Sequence, residues 1–408
     1  MNLTALGYVA FVVVLLLSVL LHEAGHFVTA RRFGMKATEF FVGFGPRLWS
    51  FRRGETEYGV KAIPAGGYVK ITGMTELDEV APEDQPRAFY RQPAPQRAVV
   101  LAAGSVVHFL IAIVVFGFIP VALGNPHASL TVGEVAPCVP DRLSETCTSS
   151  SPPSPAKAVG LRAGDRVVAI DGQRVGSWAD FTRAIKRAGP GEARLQVVRD
   201  GQRRTLSPEL TTQRRPAGTA TGRDAGAGGR TEVVPVLGVT PALVMVRSGP
   251  LEGAAEAWTD FASAVTGSFQ GLAAIPGAIP DLFDATFGDG QRSVDGLVGP
   301  VGIAQVSGEV LASGELPLAQ FLGIMAALNV FIGIFNLLPL LPLDGGHLAV
   351  LVFEQARKGV YRLFGRADPG RVDLMKLLPA AYLFLALIIG LSVLLLAADI
   401  VNPIQFDG

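Results

Sequence analysis

Residues 20–26 read Leu20-Leu21-His22-Glu23-Ala24-Gly25-His26, at the end of an apolar run that begins at Leu6. In a helix, His22 and His26 are four residues apart and lie on the same face. Two neutral imidazoles on one face can bind Zn²⁺, and Glu23 beside them can take a proton from water held at the metal. Ionisable residues inside a membrane segment are costly and point to function. The stretch therefore predicts a zinc site in a membrane helix.

The composition indicates a membrane protein rather than a soluble one. The chain has 408 residues, of which 49% are hydrophobic and 17% are charged. These values are too apolar and too poor in charge for an ordinary soluble protein. The net charge of +0 gives no support to nucleic-acid binding, and no nucleic-acid partner is expected. The first apolar segment lacks a basic start and a clear cleavage site, so it is interpreted as a retained membrane helix and not as a signal peptide.

Four apolar segments and the positions of the basic residues predict the topology. Eleven Lys and Arg residues lie in 31–97, none precedes them, and none follows Lys376. The positive-inside rule then places that loop in the cytoplasm of a cell membrane protein, with both termini and the long central region outside. The predicted divisions are a membrane segment at 1–30, a cytoplasmic loop at 31–97, a membrane segment at 98–124, a globular domain at 125–210, a linker and amphipathic region at 211–316, a membrane segment at 317–347, a cytoplasmic loop at 348–376, a membrane segment at 377–398 and an outer tail at 399–408.

A second polar motif, Leu343-Asp344-Gly345-Gly346-His347, lies at the end of the third membrane segment. Prolines and glycines are expected to break the helix here, and unwound backbone at membrane depth is tolerated where it is buried in protein or lines a cavity. Asp344 is the natural third metal ligand, and His347 is its rival because three histidines also bind zinc. The predicted topology brings His22, His26 and Asp344 to the same depth. Asn336 could hydrogen-bond substrate backbone or another helix.

Two soluble regions are predicted to contain β-structure. In the cytoplasmic loop, 57–63 and 67–71 are interpreted as strands joined by a turn at 64–67, where Gly66 and Gly67 lie. The edge of this hairpin could pair with an unwound substrate. The domain at 125–210 combines strands with a short helix around Trp178, and it could capture an extended peptide or serve as a spacer. Residues 211–230 are interpreted as a disordered linker because of their Gly, Ala, Arg and Thr content.

Three further residues have open interpretations. Cys138 and Cys147 lie in the region placed outside the membrane, so a disulfide and two free thiols are about equally expected. His108 is the ionisable group of the second membrane segment, and helix packing is favoured over a functional role.

The motifs together resemble those of the site-2 proteases, especially the bacterial PDZ-containing group and its actinobacterial members. The resemblance is carried by His-Glu-Ala-Gly-His, by Ala62 to Lys70 with its Gly66-Gly67 pair, and by Leu343-Asp344-Gly345-Gly346. It implies zinc bound by His22, His26 and Asp344, and it mildly favours a disulfide between the two cysteines. One departure is clear: where the family has Gly-Pro-x-x-Asn, this chain has Gly104-Ser105-Val106-Val107-His108.

The fold expected on this basis is a polytopic α-helical membrane protein with four transmembrane helices, a cytoplasmic membrane-associated β-hairpin and an extracytoplasmic PDZ-like α+β domain. The resemblance implies an intramembrane zinc metalloprotease with Glu23 as the base. Its substrates would be single-span membrane proteins, typically anti-sigma factors already trimmed by another protease. The alternative is a non-enzymatic receptor or adaptor that works through the PDZ-like domain, and a transporter is disfavoured because no inverted repeat is visible.

Overall fold

The computed structural model of the protein describes residues 3–74, 78–140, 147–148, 151–216, 231–288, 297–312 and 317–402. They form two compact units, one from 1–123 with 248–408 and the other from 124–247. The elements in chain order are α1 (Leu3–Arg32), β1 (Ala37–Arg53), β2 (Thr56–Ile71), α2 (Ala94–Phe118), β3 (Asn125–Val135), α3 (Pro155–Ala158), β4 (Arg166–Ile170), β5 (Gln173–Arg174), α4 (Trp178–Ala188), β6 (Gly191–Glu192), β7 (Leu195–Arg199), β8 (Gln202–Leu206), β9 (Glu209–Pro216), β10 (Thr231–Val236), β11 (Val239–Val246), α5 (Pro250–Phe287), α6 (Pro300–Ala312), α7 (Pro317–Asn336), α8 (Asp344–Leu363) and α9 (Leu378–Val401).

Within the described residues, four helices are long and apolar enough to cross a membrane, as predicted. They cover Ala5–Arg32, Ala94–Leu123, Leu318–Asn336 and Leu374–Val401. Helix α2 is central to this unit because it packs against α1, α5, α7 and α8. Small residues allow close approach in this unit: a Cβ on Gly25 of α1 would lie 2.9 Å from the carbonyl oxygen of Ala103 in α2.

The cytoplasmic hairpin prediction was wrong in its pairing. Residues 64–67 do not form a turn, because they lie inside the continuous strand β2. Strand β1 instead pairs with two parts of β2, so that Phe40 has both Tyr58 and Val69 as partners. The apolar stretch from Phe40 to Pro46, which the sequence prediction leaves in the loop, belongs to β1. The pairing partner of β2 was therefore missed because it was assigned to a loop.

The stretch around Asp344 also differs from the prediction. The chain turns between Asn336 and Leu343, and α8 then begins at Asp344 itself. The two glycines lie in the first turn of α8 and do not break a helix. Residues 348–363, predicted to be part of a cytoplasmic loop, continue this helix. The prediction assigned these residues to a loop from their charge alone. It missed the helix because α8 is amphipathic and carries its charges on one face.

The second unit contains two sheets and one main helix. Its larger sheet has the strand order β11-β3-β4-β7-β8, with β5 paired to β4, and its smaller sheet has the order β10-β9-β6. The apolar face of α4, with Phe181 and Ile185, packs into a core that includes Val132, Leu195 and Val197. Cys138 and Cys147 form a disulfide in this unit.

The prediction of a disordered linker at 211–230 was wrong for its first residues. Residues 211–216 belong to β9 and pair with β10 in a regular antiparallel register from Thr211↔Val236 to Pro216↔Thr231. The globular unit therefore extends to residue 247 and not to 210. The β-branched residues in Val233-Val234-Pro235-Val236 carried a strand signal that the Gly-rich neighbourhood concealed. Most of the predicted linker, 217–230, lies outside the described residues.

Candidate active site

Three side chains from two distant parts of the first unit converge. The Nε2 atoms of His22 and His26, on α1, are 3.1 Å apart. The Oδ2 atom of Asp344 lies 3.3 Å from His22 Nε2 and 3.2 Å from His26 Nε2. Both histidines are buried, and Asp344 is half-buried. Among the described residues, this trio is the group whose ligand atoms are close enough together to hold a metal ion.

The spacing of the three atoms fits a zinc ion. Ligands about 2.0–2.1 Å from a tetrahedral centre lie about 3.3 Å from one another. The three observed separations are all close to that value. In addition, Asp344 Oδ2 is buried and has no hydrogen-bond partner among the described residues. A buried carboxylate oxygen without a partner is costly, and a cation at this position would remove the cost.

Helix α2 holds the two histidines in place. The Nδ1 atom of His26 donates a hydrogen bond of 2.7 Å to the carbonyl oxygen of Val100, which leaves Nε2 as the nitrogen available to a metal. Gly104 lies directly against both imidazole rings, and a Cβ at this position would overlap His22 and come within 2.5 Å of His26 Nε2. Glycine at position 104 therefore provides the space that the two rings occupy.

The position of Asp344 follows from the turn between α7 and α8. It is the first residue of α8, where the positive end of the helix dipole stabilises a carboxylate. The turn folds back onto this helix start, so that a Cβ on Gly346 would lie 2.6 Å from backbone atoms of Leu340 and Leu341. A Cβ on Gly345 would overlap the backbone of Leu337. The two glycines are therefore required for close packing, which in turn fixes the direction of the Asp344 side chain.

Glu23 lies between the histidines and strand β2. The backbone N–H of Val69 lies near the Glu23 carboxylate. A Cβ on Gly67 would lie 3.4 Å from Glu23 Cγ, so the strand passes directly over this side chain. Residues 67–71 pair with β1 along one edge, and the Val69 N–H shows that the opposite edge faces Glu23.

The remaining predicted residues are placed less directly. Asn336 is the last residue of α7 and is half-buried. Gly66 lies on β2, and a Cβ added to it would be 3.9 Å from the side chain of Val19 in α1. His347 does not join the three converging side chains. It lines a separate cavity of about 390 Å³ together with Arg97 and Glu354.

The sequence did not reveal the contributions of Val100, Gly104 and Val69 to the site, since each depends on a contact between separate elements.

The second unit has a groove of about 530 Å³ beside α4. Its walls include Trp178, Ile185 and Lys186 of α4 and residues 234–240, and Cys138 of the disulfide lies at its border. Strand β10 pairs with β9 on one side, and α4 packs near it. Among the described residues, no strand occupies the other edge of β10. An edge strand next to an apolar helix face can accept an extended peptide as an additional strand.

Two buried imidazoles and an adjacent glutamate on an apolar helix, together with a carboxylate from a second helix, define a membrane metallohydrolase. Comparison with known protein families matches residues 10–365 to Peptidase family M50. The chain is 36% identical to the zinc metalloprotease Rip1 of Mycolicibacterium smegmatis over 408 residues, which cover 98% of each chain. It is 38% identical to the zinc metalloprotease Rip1 of Mycobacterium tuberculosis over 414 residues, again with 98% of each chain covered.

The chain therefore belongs to Peptidase family M50, the site-2 proteases, and it is a membrane zinc metalloprotease. This confirms the family, the enzyme class and the zinc cofactor that the sequence predicts.

Proposed function

We propose that the protein hydrolyses peptide bonds within the membrane-spanning segments of single-span proteins, with zinc held by His22, His26 and Asp344 and with Glu23 as general base. The observation that carries this proposal is the convergence of the three ligand atoms, 3.1–3.3 Å apart, next to a glutamate on a membrane helix. Because His22, Glu23 and His26 lie on a membrane helix, the site is suited to substrates that are themselves in the membrane. Zinc, when bound, supplies a Lewis acid that activates water and polarises a carbonyl group.

The chain's own residues then perform the proton transfers. The Glu23 side chain, which lies against β2 near the Val69 N–H, can take a proton from the attacking water and pass it to the leaving amine. The hydrogen bond from His26 to Val100 keeps that ring in one tautomer. Asn336, at the end of α7, is proposed to hydrogen-bond the substrate backbone.

A substrate helix must be unwound before its carbonyl groups can be attacked, because its backbone is otherwise hydrogen-bonded to itself. We place the unwound substrate along the edge of β2 that faces Glu23, beside Gly66 and Gly67. The absence of side chains at these two positions lets another backbone approach the strand closely. Strand pairing would then hold the peptide extended next to the metal ligands.

The second unit is proposed to be a PDZ-like domain on the outer side of the plasma membrane, with both chain termini also outside and the β1–β2 sheet in the cytoplasm. Its groove beside α4 suits the end of an extended peptide. The substrates inferred are single-span proteins resembling anti-sigma factors, shortened beforehand by another protease. Replacing 124–247 by a flexible linker should then allow uncut substrates to be cleaved. Continued resistance of uncut substrate to an otherwise active enzyme would contradict a role in exclusion.

The experiment for the enzymatic proposal compares wild type with Glu23→Gln in lipid vesicles that also contain a labelled single-span substrate. Both proteins should bind zinc, and only wild type should cut the substrate within its membrane segment, as located by mass spectrometry. Glu252→Gln, which changes an exposed carboxylate at the start of α5, is the matched control and should cleave normally. Substrate binding without cleavage by zinc-loaded wild type would instead favour the adaptor function.

A further inference from the structure

His108 of α2 lies beside the proposed metal site, although the sequence favours a packing role for it. Its side chain is almost fully buried, at 1% exposed. The centroid of its ring is 5.0 Å from that of His22, and the two ring planes are inclined by 44°. His108 and Gly104 are one helical turn apart on the same face of α2, so both lie against His22.

A hydrogen bond to α7 fixes the His108 ring. The side-chain nitrogen of Asn329 donates to the carbonyl oxygen of Met325 at 2.8 Å, which leaves its Oδ1 atom as an acceptor. His108 Nδ1 lies 2.8 Å from this oxygen and therefore donates to it. Asn329 is only 3% exposed, so neither partner can exchange the contact for bulk water. The pair sets the tautomer and the ring plane of His108.

The two metal-site histidines are held in different ways. His26 has a hydrogen-bond acceptor for its second ring nitrogen in Val100. His22 has none among the described residues, since its Nδ1 atom is buried without a partner. Metal-binding histidines are usually oriented by a hydrogen bond from the second nitrogen. The orientation of His22 therefore depends on packing, and the groups that pack against it include Gly104, the His26 ring at 4.7 Å and the His108 ring at 5.0 Å between centroids.

We propose that His108 and Asn329 are a positioning pair for the zinc site. Through its ring, His108 holds His22 in the direction of Asp344. Through its hydrogen bond to Asn329, it also connects α2 to α7. Helix α2 contacts both histidines, and α7 leads into the turn before Asp344. This inference rests on the proposed zinc ligands. It assigns a role to His108, where this chain has histidine in place of the asparagine of Gly-Pro-x-x-Asn.

The test measures metal binding and metal geometry on the full-length protein in detergent. Zinc affinity is determined by competition with a chelator, and the visible absorption spectrum of the cobalt-substituted protein reports the ligand geometry. His108→Phe keeps the ring but removes the hydrogen bond, and Asn329→Leu removes the acceptor at similar volume. Each change should weaken zinc binding by about 10–100-fold and alter the cobalt spectrum, as loss of a group that orients a ligand does elsewhere.

Two further variants separate positioning from general packing. His108→Gln retains an N–H donor for Asn329 and should recover most of the zinc affinity. Asn402→Leu removes a different contact between helices, the 3.1 Å hydrogen bond from Asn402 to the carbonyl of Ala285, and should leave the cobalt spectrum unchanged. The double variant His108→Phe/Asn329→Leu should be no worse than either single one, because both changes break the same contact.

Unchanged zinc affinity and an unchanged cobalt spectrum in folded His108→Phe and Asn329→Leu would overturn the inference. If these variants do not fold, the milder His108→Gln decides it, because it keeps the hydrogen bond and loses the ring that contacts His22. A shifted cobalt spectrum with most of the zinc affinity retained supports positioning, and a cobalt spectrum identical to that of wild type counts against it. Failure of wild type itself to bind zinc would instead overturn the proposed function on which this inference rests.

Discussion

Asp344 in the membrane unit and Asp165 in the second unit are both shielded carboxylates, but their surroundings differ. Asp165 is 1% exposed, and it accepts two hydrogen bonds of 2.6 Å from Arg199 and one of 2.8 Å from the backbone N–H of Arg162. Asp344 faces His22 and His26, and its Oδ2 atom has no hydrogen-bond partner among the described residues. A carboxylate that has all its hydrogen-bond partners contributes to folding, whereas one that converges with two imidazoles and lacks such partners is arranged for a cation.

The same contrast holds for the cost of burial. Burial alone would raise the pKa of Asp165, but the hydrogen bonds from Arg199 and Arg162 hold its pKa below the usual value. The protein itself therefore compensates this charge. Asp344 has no arginine partner of this kind: the start of α8 and the two nearby imidazoles leave room for a cation to supply the rest of the compensation, as in a binding site.

The largest expected effect is the loss of metal on substitution of Asp344. In Asp344→Ala, zinc should fall from about one per chain to nearly none, because two imidazoles alone do not complete a zinc site. The free energy of unfolding of the metal-free protein should not fall, since Asp344 Oδ2 gives up no hydrogen bond and its burial without a cation is costly. Metal analysis and thermal unfolding with a chelator present measure the two quantities. Asp368→Ala, at an exposed carboxylate, is the control and should retain its zinc.

Substitution of Asp165 should have the opposite profile. In Asp165→Ala the guanidinium of Arg199, which is only 13% exposed, loses its buried partner. We expect the second unit to lose stability while zinc binding is retained, because the Arg199 guanidinium keeps only its hydrogen bond to Gly160. Hydrogen exchange in β4 and β7 measures the stability. Asp180→Ala breaks an exposed ion pair with Arg183 and should change the stability of the second unit far less. Equal zinc loss in Asp165→Ala and Asp344→Ala would remove the distinction between the two carboxylates.

Reduction of the disulfide should have a smaller effect that is confined to the second unit. The bond between Cys138 and Cys147 closes a loop with a sequence separation of 9. A loop of this length corresponds to about 2–3 kcal/mol of stabilisation in the chain-entropy estimate. Cys138→Ser/Cys147→Ser should therefore unfold this unit at lower denaturant concentration, with unchanged zinc content. An unaltered midpoint for the second unit would show that the bond does not constrain it.

An exposed ion pair should show the smallest effect. Arg87 donates two hydrogen bonds of 2.6 Å to Glu55, and this contact lowers the pKa of Glu55 below its usual value. The stabilisation is present above the pKa of the unfolded chain and is lost as the pH falls through the lower pKa of the folded protein. Because both side chains are partly exposed, Glu55→Gln should cost less than about 1 kcal/mol and should reduce the loss of stability below about pH 4. A pH profile identical to that of wild type would contradict a role for this pair.

The sequence predicted the parts of the site that lie in one helix or one turn. His22, Glu23 and His26 could be identified because their spacing alone puts them side by side. Asp344 required an argument from topology, and the structure brings it to the histidines. The positions of Val100, Gly104 and Val69 could not be predicted, because each acts through a contact between elements far apart in the chain.

The errors in the predicted fold have a similar origin. Composition identified 64–67 as a turn and 211–216 as a linker, but strand pairing with distant residues decided both. Local propensity is weaker than such tertiary pairing, especially in glycine-rich and proline-rich stretches. The short helix predicted around Trp178 is observed as α4, where the apolar spacing is regular.

The most direct test of the central claim is X-ray absorption at the zinc edge of the purified, zinc-loaded protein, compared with Asp344→Asn. The account predicts nitrogen and oxygen ligands at about 2.0–2.1 Å, with the scattering of two imidazoles and not three. Asp344→Asn should alter this shell or abolish binding. A shell with three imidazoles that persists in Asp344→Asn would assign the third ligand to another histidine and would contradict the site formed by His22, His26 and Asp344.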